Sequence, residues 1–152
     1  MLTPGDLKDR LIRSGLCPAD KLRGCSDKEL MKIEEHIGCR LPQSYKDVMR
    51  VIGRGAGDFI SDVEMYYPAV VTLTEHDREL LAESVDLPDD AFVFADRDGE
   101  QLLFFHTATD SDDPPIYRWH DGEPRRFRKV FKSIWDFIEE ELVAHESLLE
   151  DR

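Results

Sequence analysis

Ile33-Glu34-Glu35-His36-Ile37-Gly38-Cys39-Arg40-Leu41-Pro42-Gln43-Ser44-Tyr45 decides the fold of this chain. It reads as the end of a short helix, a glycine stop, and a Leu-Pro step that launches a second helix carrying an aromatic. Upstream, Ser26 and Glu29 have capping-box spacing: the hydroxyl accepts an early backbone N–H and the carboxylate reaches back to the cap. Leu30, Ile33 and Ile37 then fall on one helical face. Gly38 can take the left-handed conformation that ends a helix. Pro42 cannot continue that helix but suits the first turn of the next. Tyr45, Val48, Met49 and Ile52 form the apolar face of the second helix, and Gly53 ends it.

Working outward, Thr3 caps an earlier amphipathic helix, with Pro4 in its first turn and Leu7, Leu11 and Ile12 facing inward; Gly15 closes it. Leu16 to Cys25 is a connector. The glycine-rich Gly53-Arg54-Gly55-Ala56-Gly57-Asp58 follows the Tyr45 helix. A dinucleotide fingerprint must follow a strand and open a helix, and no Gly-Lys-Ser/Thr is present, so this run reads as a structural loop. Glu64 to Val71 mixes aromatic and β-branched residues around Pro68 and suggests a strand or irregular edge. Thr74 to Ser84 reads as a short helix capped by Thr74, with Leu80 and Leu81 buried. Pro88-Asp89-Asp90 is a turn.

Beyond it the period becomes that of strands. Ala91–Ala95 and Gln101–Phe105 are apolar strands joined by Asp98-Gly99, a favoured hairpin dipeptide. Asp110 to Pro115 is a charged loop. Ile116–His120 is a third strand, Asp121-Gly122 repeats the hairpin signal, and Phe127–Phe131 returns as a fourth. Ser133 with Asp136 caps a last helix whose inner stripe is Ile134, Phe137, Ile138, Leu142, His145 and Leu149. The expected helices are 4–14, 27–37, 43–52 and 133–148. Helices, then an antiparallel meander, then a helix make an α+β fold: a single domain with a central antiparallel sheet flanked by helices. The expected core is Leu30, Ile33, Ile37, Leu41, Tyr45, Met49, Phe92, Phe94, Leu103, Tyr117, Trp119, Phe137 and Ile138.

A length of 152 residues fits one domain able to bury a proper core. No apolar run is long enough to span a bilayer. The N-terminus lacks the basic and apolar regions of a signal peptide, which points to the cytoplasm. Cys17, Cys25 and Cys39 are an odd count and read as free thiols. The formal net charge is -13. Such a field repels nucleic acid and anionic membrane and steers basic partners in.

Motifs for chemistry are weak. Asp96-Arg97-Asp98-Gly99-Glu100 echoes the start of a calcium loop, but the final ligand position falls among Leu and Phe. His36 with Cys39, and His106 with His120, do not amount to a zinc set, because no second pair stands at ligand spacing. The expectation is no metal, no cofactor and no catalytic residues. Arg125-Arg126-Phe127-Arg128-Lys129 is one short basic patch on an acidic chain. It reads as a solvated strand face pairing with the Glu139-Glu140-Glu141 helix rather than a nucleic-acid site.

Four stretches in order carry a resemblance. They are Ile33 to Tyr45; the glycine loop Gly53 to Asp58; Phe92-Val93-Phe94-Ala95-Asp96 with Gly99 and the strand after it; and Pro115-Ile116-Tyr117-Arg118-Trp119 followed by Ser133-Ile134-Trp135-Asp136-Phe137-Ile138. Together the chain resembles the SMI1/KNR4 (SUKH) superfamily, with residues 1–25 as an N-terminal helical extension. The resemblance implies a non-enzymatic binding fold. It implies a bacterial immunity protein that neutralises a cognate polymorphic toxin, often a nuclease, or else a regulatory scaffold without a toxin. A small-ligand-binding protein or hydrolase is the remaining alternative, and a buried carboxylate pair beside a histidine would favour it. The partner-binding face is expected on acidic loop residues: Asp58, Asp62, Glu64, Asp96, Asp98, Glu100, Asp110, Asp112 and Asp113. A basic protein partner is expected, with no nucleic acid and no membrane.

Overall fold

In a computed structural model describing residues 2–122 and 127–151, the order is α1 (Pro4–Ser14), β1 (Leu22–Arg23), α2 (Asp27–Ile37), α3 (Gln43–Ile52), β2 (Gly55–Ala56), α4 (Val70–Leu80), β3 (Ala91–Arg97), β4 (Gln101–His106), β5 (Ile116–His120), β6 (Arg128–Phe131) and α5 (Ile134–Glu150). Local chemistry accounts for the ends of the first two helices. The Asp6 amide donates to Thr3 Oγ1 at 3.1 Å while the Thr3 amide donates to the Asp6 carboxylate at 3.0 Å. Ser26 and Glu29 make the same reciprocal pair at 3.2 and 2.9 Å. Each box satisfies amides that the first helical turn leaves without partners. Pro42 stands one position earlier than expected, as the N-cap of α3 rather than within its first turn.

β3-β4-β5-β6 form one antiparallel meander. Asp98 (φ 55°) and Gly99 (φ 70°) make the β3–β4 turn, where both positions are left-handed. Helices α3 and α5 cover one sheet face. Tyr45 sits 5.4 Å from Phe92 and 5.5 Å from Phe105, and Phe137 sits 5.9 Å from Phe94, centroid to centroid. These edge and tilted contacts are the favoured ring geometries of a packed aromatic core. Eleven of the thirteen expected core residues are buried; Ile37 and Tyr117 are half-buried at its rim. Ile12 is 37% exposed and does not face inward as the α1 stripe suggests. Inside the core the Tyr45 hydroxyl has no hydrogen-bond partner among the described residues, and burial holds its pKa well above the ordinary value.

Three expectations are corrected. The fourth helix runs over Val70–Leu80, not Thr74–Ser84, and Leu80 is 61% exposed. Val70, Leu73 and Asp77 make its inner face, so packing against β3 overrides the β-branched Val70-Val71 pair that suggests a strand. Thr74 caps nothing, because its Oγ1 accepts the Val93 amide at 2.9 Å on the free edge of the sheet. Of the strand or irregular edge expected over Glu64–Val71, the regular strand is absent and one bridge on the sheet edge remains, Glu64 to Asp96. The connector and the glycine loop are not plain loops: Leu22 and Arg23 pair with Ala56 and Gly55.

Of the basic run, Arg125 and Arg126 lie outside the described residues. Phe127 packs edge-on against Phe104 at 5.1 Å. On α5, Glu139 reaches Arg10 at 3.6 Å and Glu141 reaches Arg97 at 3.6 Å.

Candidate functional site

The β3 edge builds the site. An edge strand leaves outward amides and carbonyls without partners. Here Thr74 takes one amide, and Glu64 exchanges two backbone bonds with Asp96 at 2.8 and 3.0 Å. The segment 61–64 and helix α4 are thereby held side by side across the end of β3. Between them lies a cleft of about 500 Å³, closed at one end by the Asp98-Gly99 turn.

Four of the nine expected acidic residues line this cleft: Asp62, Glu64, Asp96 and Asp98. Asp96 is not on a loop. It lies on β3, 7% exposed, and its Oδ1 accepts the Gly99 amide at 2.7 Å. The turn thus depends on a carboxylate that also faces the cleft. Asp62 approaches Arg97 Nε at 3.5 Å.

The remaining five stand elsewhere. Asp58 and Glu100 are exposed and do not line the cleft. Asp110, Asp112 and Asp113 belong to the β4–β5 loop, and two of them are fold anchors rather than free carboxylates. Asp112 accepts from Arg40 at 3.1 Å through its side chain and from the Ser44 amide at 2.9 Å through its carbonyl. Asp113 Oδ1 accepts the Ser133 hydroxyl at 2.7 Å, and Ser133 Oγ in turn accepts the Trp135 amide at 3.1 Å to cap α5. Loops that must tie two helix starts recruit their own acids for it, which composition alone does not reveal.

Next to the cleft-lining His76 and Asp96, but not itself lining the cleft, stands a residue that the sequence reading passes over. Asp77 is fully buried, and its Oδ1 lies 3.3 Å from His76 Nδ1. Its carboxyl neighbours that of Asp96. Burial first, then proton sharing with Asp96 and repulsion from its charge, push the Asp77 pKa from 3.8 up to about 7, with His76 opposing. The available signal was the i, i+3, i+7 spacing of Val70, Leu73 and Asp77. An Asp at a core-facing helical position is uncommon unless it is paired.

The histidines do not assemble. His36 pairs with Glu75, and His106 Nδ1 with Asp90 at 2.8 Å. The register sets His120 opposite Gln101, at the far end of β4 from His106. Among the described residues no group of three or more His, Cys, Asp or Glu is placed to hold a metal ion. Cys17, Cys25 and Cys39 are free thiols; burial pushes Cys25 up to about 12, leaving it unreactive near neutrality. Among the described residues no helix is long and apolar enough to cross a membrane.

No curated protein matches this chain. A family model does: that of the SMI1 / KNR4 family (SUKH-1) matches residues 24–140, which leaves out α1, β1 and α5 beyond residue 140 but takes in the four-stranded sheet, α2 to α4 and the whole cleft. On that match and this α+β architecture, the chain belongs to the SMI1/KNR4 family (SUKH-1).

Proposed function

We propose that the protein is a non-enzymatic binding protein of the immunity type, which neutralises a basic polymorphic toxin through its acidic surface. One observation carries the reading: in a chain of net charge -13, four carboxylate residues converge on a single cleft built by the family fold. An acidic face gains association rate against a basic partner and disfavours nucleic acid and anionic membrane. The experiment is capture of the product of the adjacent gene, followed by binding kinetics across a salt series. Association slowing as salt rises supports the reading, since rim charges act on encounter and salt screens them. No captured protein, or salt-insensitive capture, replaces it with the regulatory scaffold.

A second reading has its own support. A buried carboxyl pair, Asp77 with Asp96, stands beside His76 at a cleft of small-ligand size. Such a trio also suits a small-ligand-binding protein or a hydrolase. Turnover of ester, glycoside or phosphoester reporters that Asp77→Asn abolishes would favour it.

A further inference from the structure

We propose that His145 on α5 is the pin of a proton-operated latch that holds segment 59–64, and with it one wall of the cleft, in a left-handed bend. The bend is at Ile60. Its φ is 48°, in a region that a β-branched side chain rarely enters and that persists only where the surroundings over-determine it. Two side chains grip the peptide between Phe59 and Ile60. The Tyr66 hydroxyl donates to the Phe59 carbonyl oxygen at 2.7 Å, and the Ile60 amide donates to His145 Nε2 at 3.4 Å. Phe59 and Ile60 are fully buried, so an amide released from His145 has no solvent acceptor at hand. The Phe59 ring meets the imidazole edge-on at 5.2 Å. Ser61, Asp62, Val63 and Glu64 follow at once and line the cleft. The pin itself lies beyond residues 24–140, the stretch that the family model matches.

The ring has one arrangement that serves both of its neighbours. His145 Nδ1 lies 2.7 Å from the Glu141 carbonyl oxygen and carries the hydrogen there, which leaves Nε2 as the acceptor for Ile60. A second proton must go to Nε2. It turns the acceptor into a donor, sets two N–H groups head-on and orphans a buried amide. Imidazole is the side chain that gains such a proton between about pH 8 and 5. The bend then loses one of its two grips, and the wall that carries Asp62 and Glu64 shifts against β3. The charged groups around the pin come from several elements. On its own helix, Glu141 Oε2 is 3.7 Å from Nδ1, and Glu146 is held by Arg10 of α1 at 2.6 Å. Arg97 of β3 reaches Glu141 at 3.6 Å and Asp62 at 3.5 Å. Tyr66 stands on the segment side, with Cys17 of the connector near its hydroxyl. Glu141 draws a charged ring toward itself and away from Ile60, which is the direction of release.

The test follows the backbone amides and histidine ring protons of the full chain by NMR from pH 7.5 to 5.5, with hydrogen exchange at the two ends. The expected result is one common midpoint for the His145 ring and the amides of Ile60 to Glu64. Protection of the Ile60 amide should fall about tenfold at the acid end, the equilibrium weight of one buried hydrogen bond. His145→Gln keeps a carbonyl acceptor that does not titrate, so it should hold those amides closed across the range. His145→Phe keeps a ring against Phe59 without an acceptor and should leave them open at both ends. Asp77, with its pKa pushed up to about 7, titrates in the same interval beside the cleft, so Asp77→Asn is the control and should keep the Ile60 response. Ile60 protection unchanged by pH, a midpoint that follows Asp77 or another histidine, or a response that survives in the His145 variants would overturn the proposal. If a His145 variant does not fold, the wild-type midpoints and the Asp77→Asn comparison still decide it. No partner enters the measurement, so the binding reading and the latch fail separately.

Discussion

Replacing Asp77 by Asn should stabilise this protein, and only above mildly acid pH. In the unfolded chain the carboxyl ionises near its ordinary 3.8; in the folded chain it holds its proton to about 7. Between those values the folded state binds more protons, so stability falls as pH rises from about 4 to about 7 and is flat beyond. The difference corresponds to a ceiling of about 4 kcal/mol, at about 1.4 kcal/mol per pKa unit. The value of about 7 already contains the opposing pull of His76, and relaxation of the fold around the buried charge lowers the penalty further, so a gain of about 2–3 kcal/mol at pH 8 is expected from the substitution. Asn has the same shape, cannot ionise, and its amide can donate to Asp96 where the shared proton stood. Urea denaturation at pH 4, 6 and 8 measures this. The variant's midpoint should match wild type at pH 4 and exceed it by about 1 M at pH 8. A variant less stable than wild type at pH 8, or a difference independent of pH, would show that Asp77 is an ordinary ionised carboxylate in the folded chain. A site kept at such a cost is the usual mark of function traded against stability.

Other outcomes follow from packing and caps. Phe137→Ala empties the contact with Phe94 and Phe131 and should cost about 3–5 kcal/mol, and Ile33→Ala about 2–5 kcal/mol, in chemical denaturation. Gly24→Ala would place a Cβ 1.7 Å from the Arg50 carbonyl oxygen and should cost at least about 2 kcal/mol, seen as a lowered melting temperature. Neutralising Asp110, Asp112 and Asp113 together, which the sequence treats as surface charge, should instead lose about 1–2 kcal/mol, because Asp113 accepts from the Ser133 cap; Ser133→Ala alone should lose about as much.

Elements with a local cause are legible along the chain. Capping boxes at Thr3 and Ser26, the turn at Asp98-Gly99 and the helical stripes on α2, α3 and α5 depend on residues within a few positions of each other, so their spacing is enough to read them. The order of those elements was also enough to suggest the family that the match over residues 24–140 shows. What it did not carry was anything decided by residues distant in the chain. Helix α4 takes its register from β3, to which Thr74 is bonded through Val93, so propensity around Val70 and Thr74 misplaced it by four residues. The loop acids divide into cleft-lining and fold-anchoring sets only once Ser44, Arg40 and Ser133 are brought beside Asp112 and Asp113. Asp77 and Asp96 are nineteen positions apart and read separately as two more surface acids in an acidic chain. Burial and each other's charge make them a pair, and both of those are properties of the tertiary structure alone.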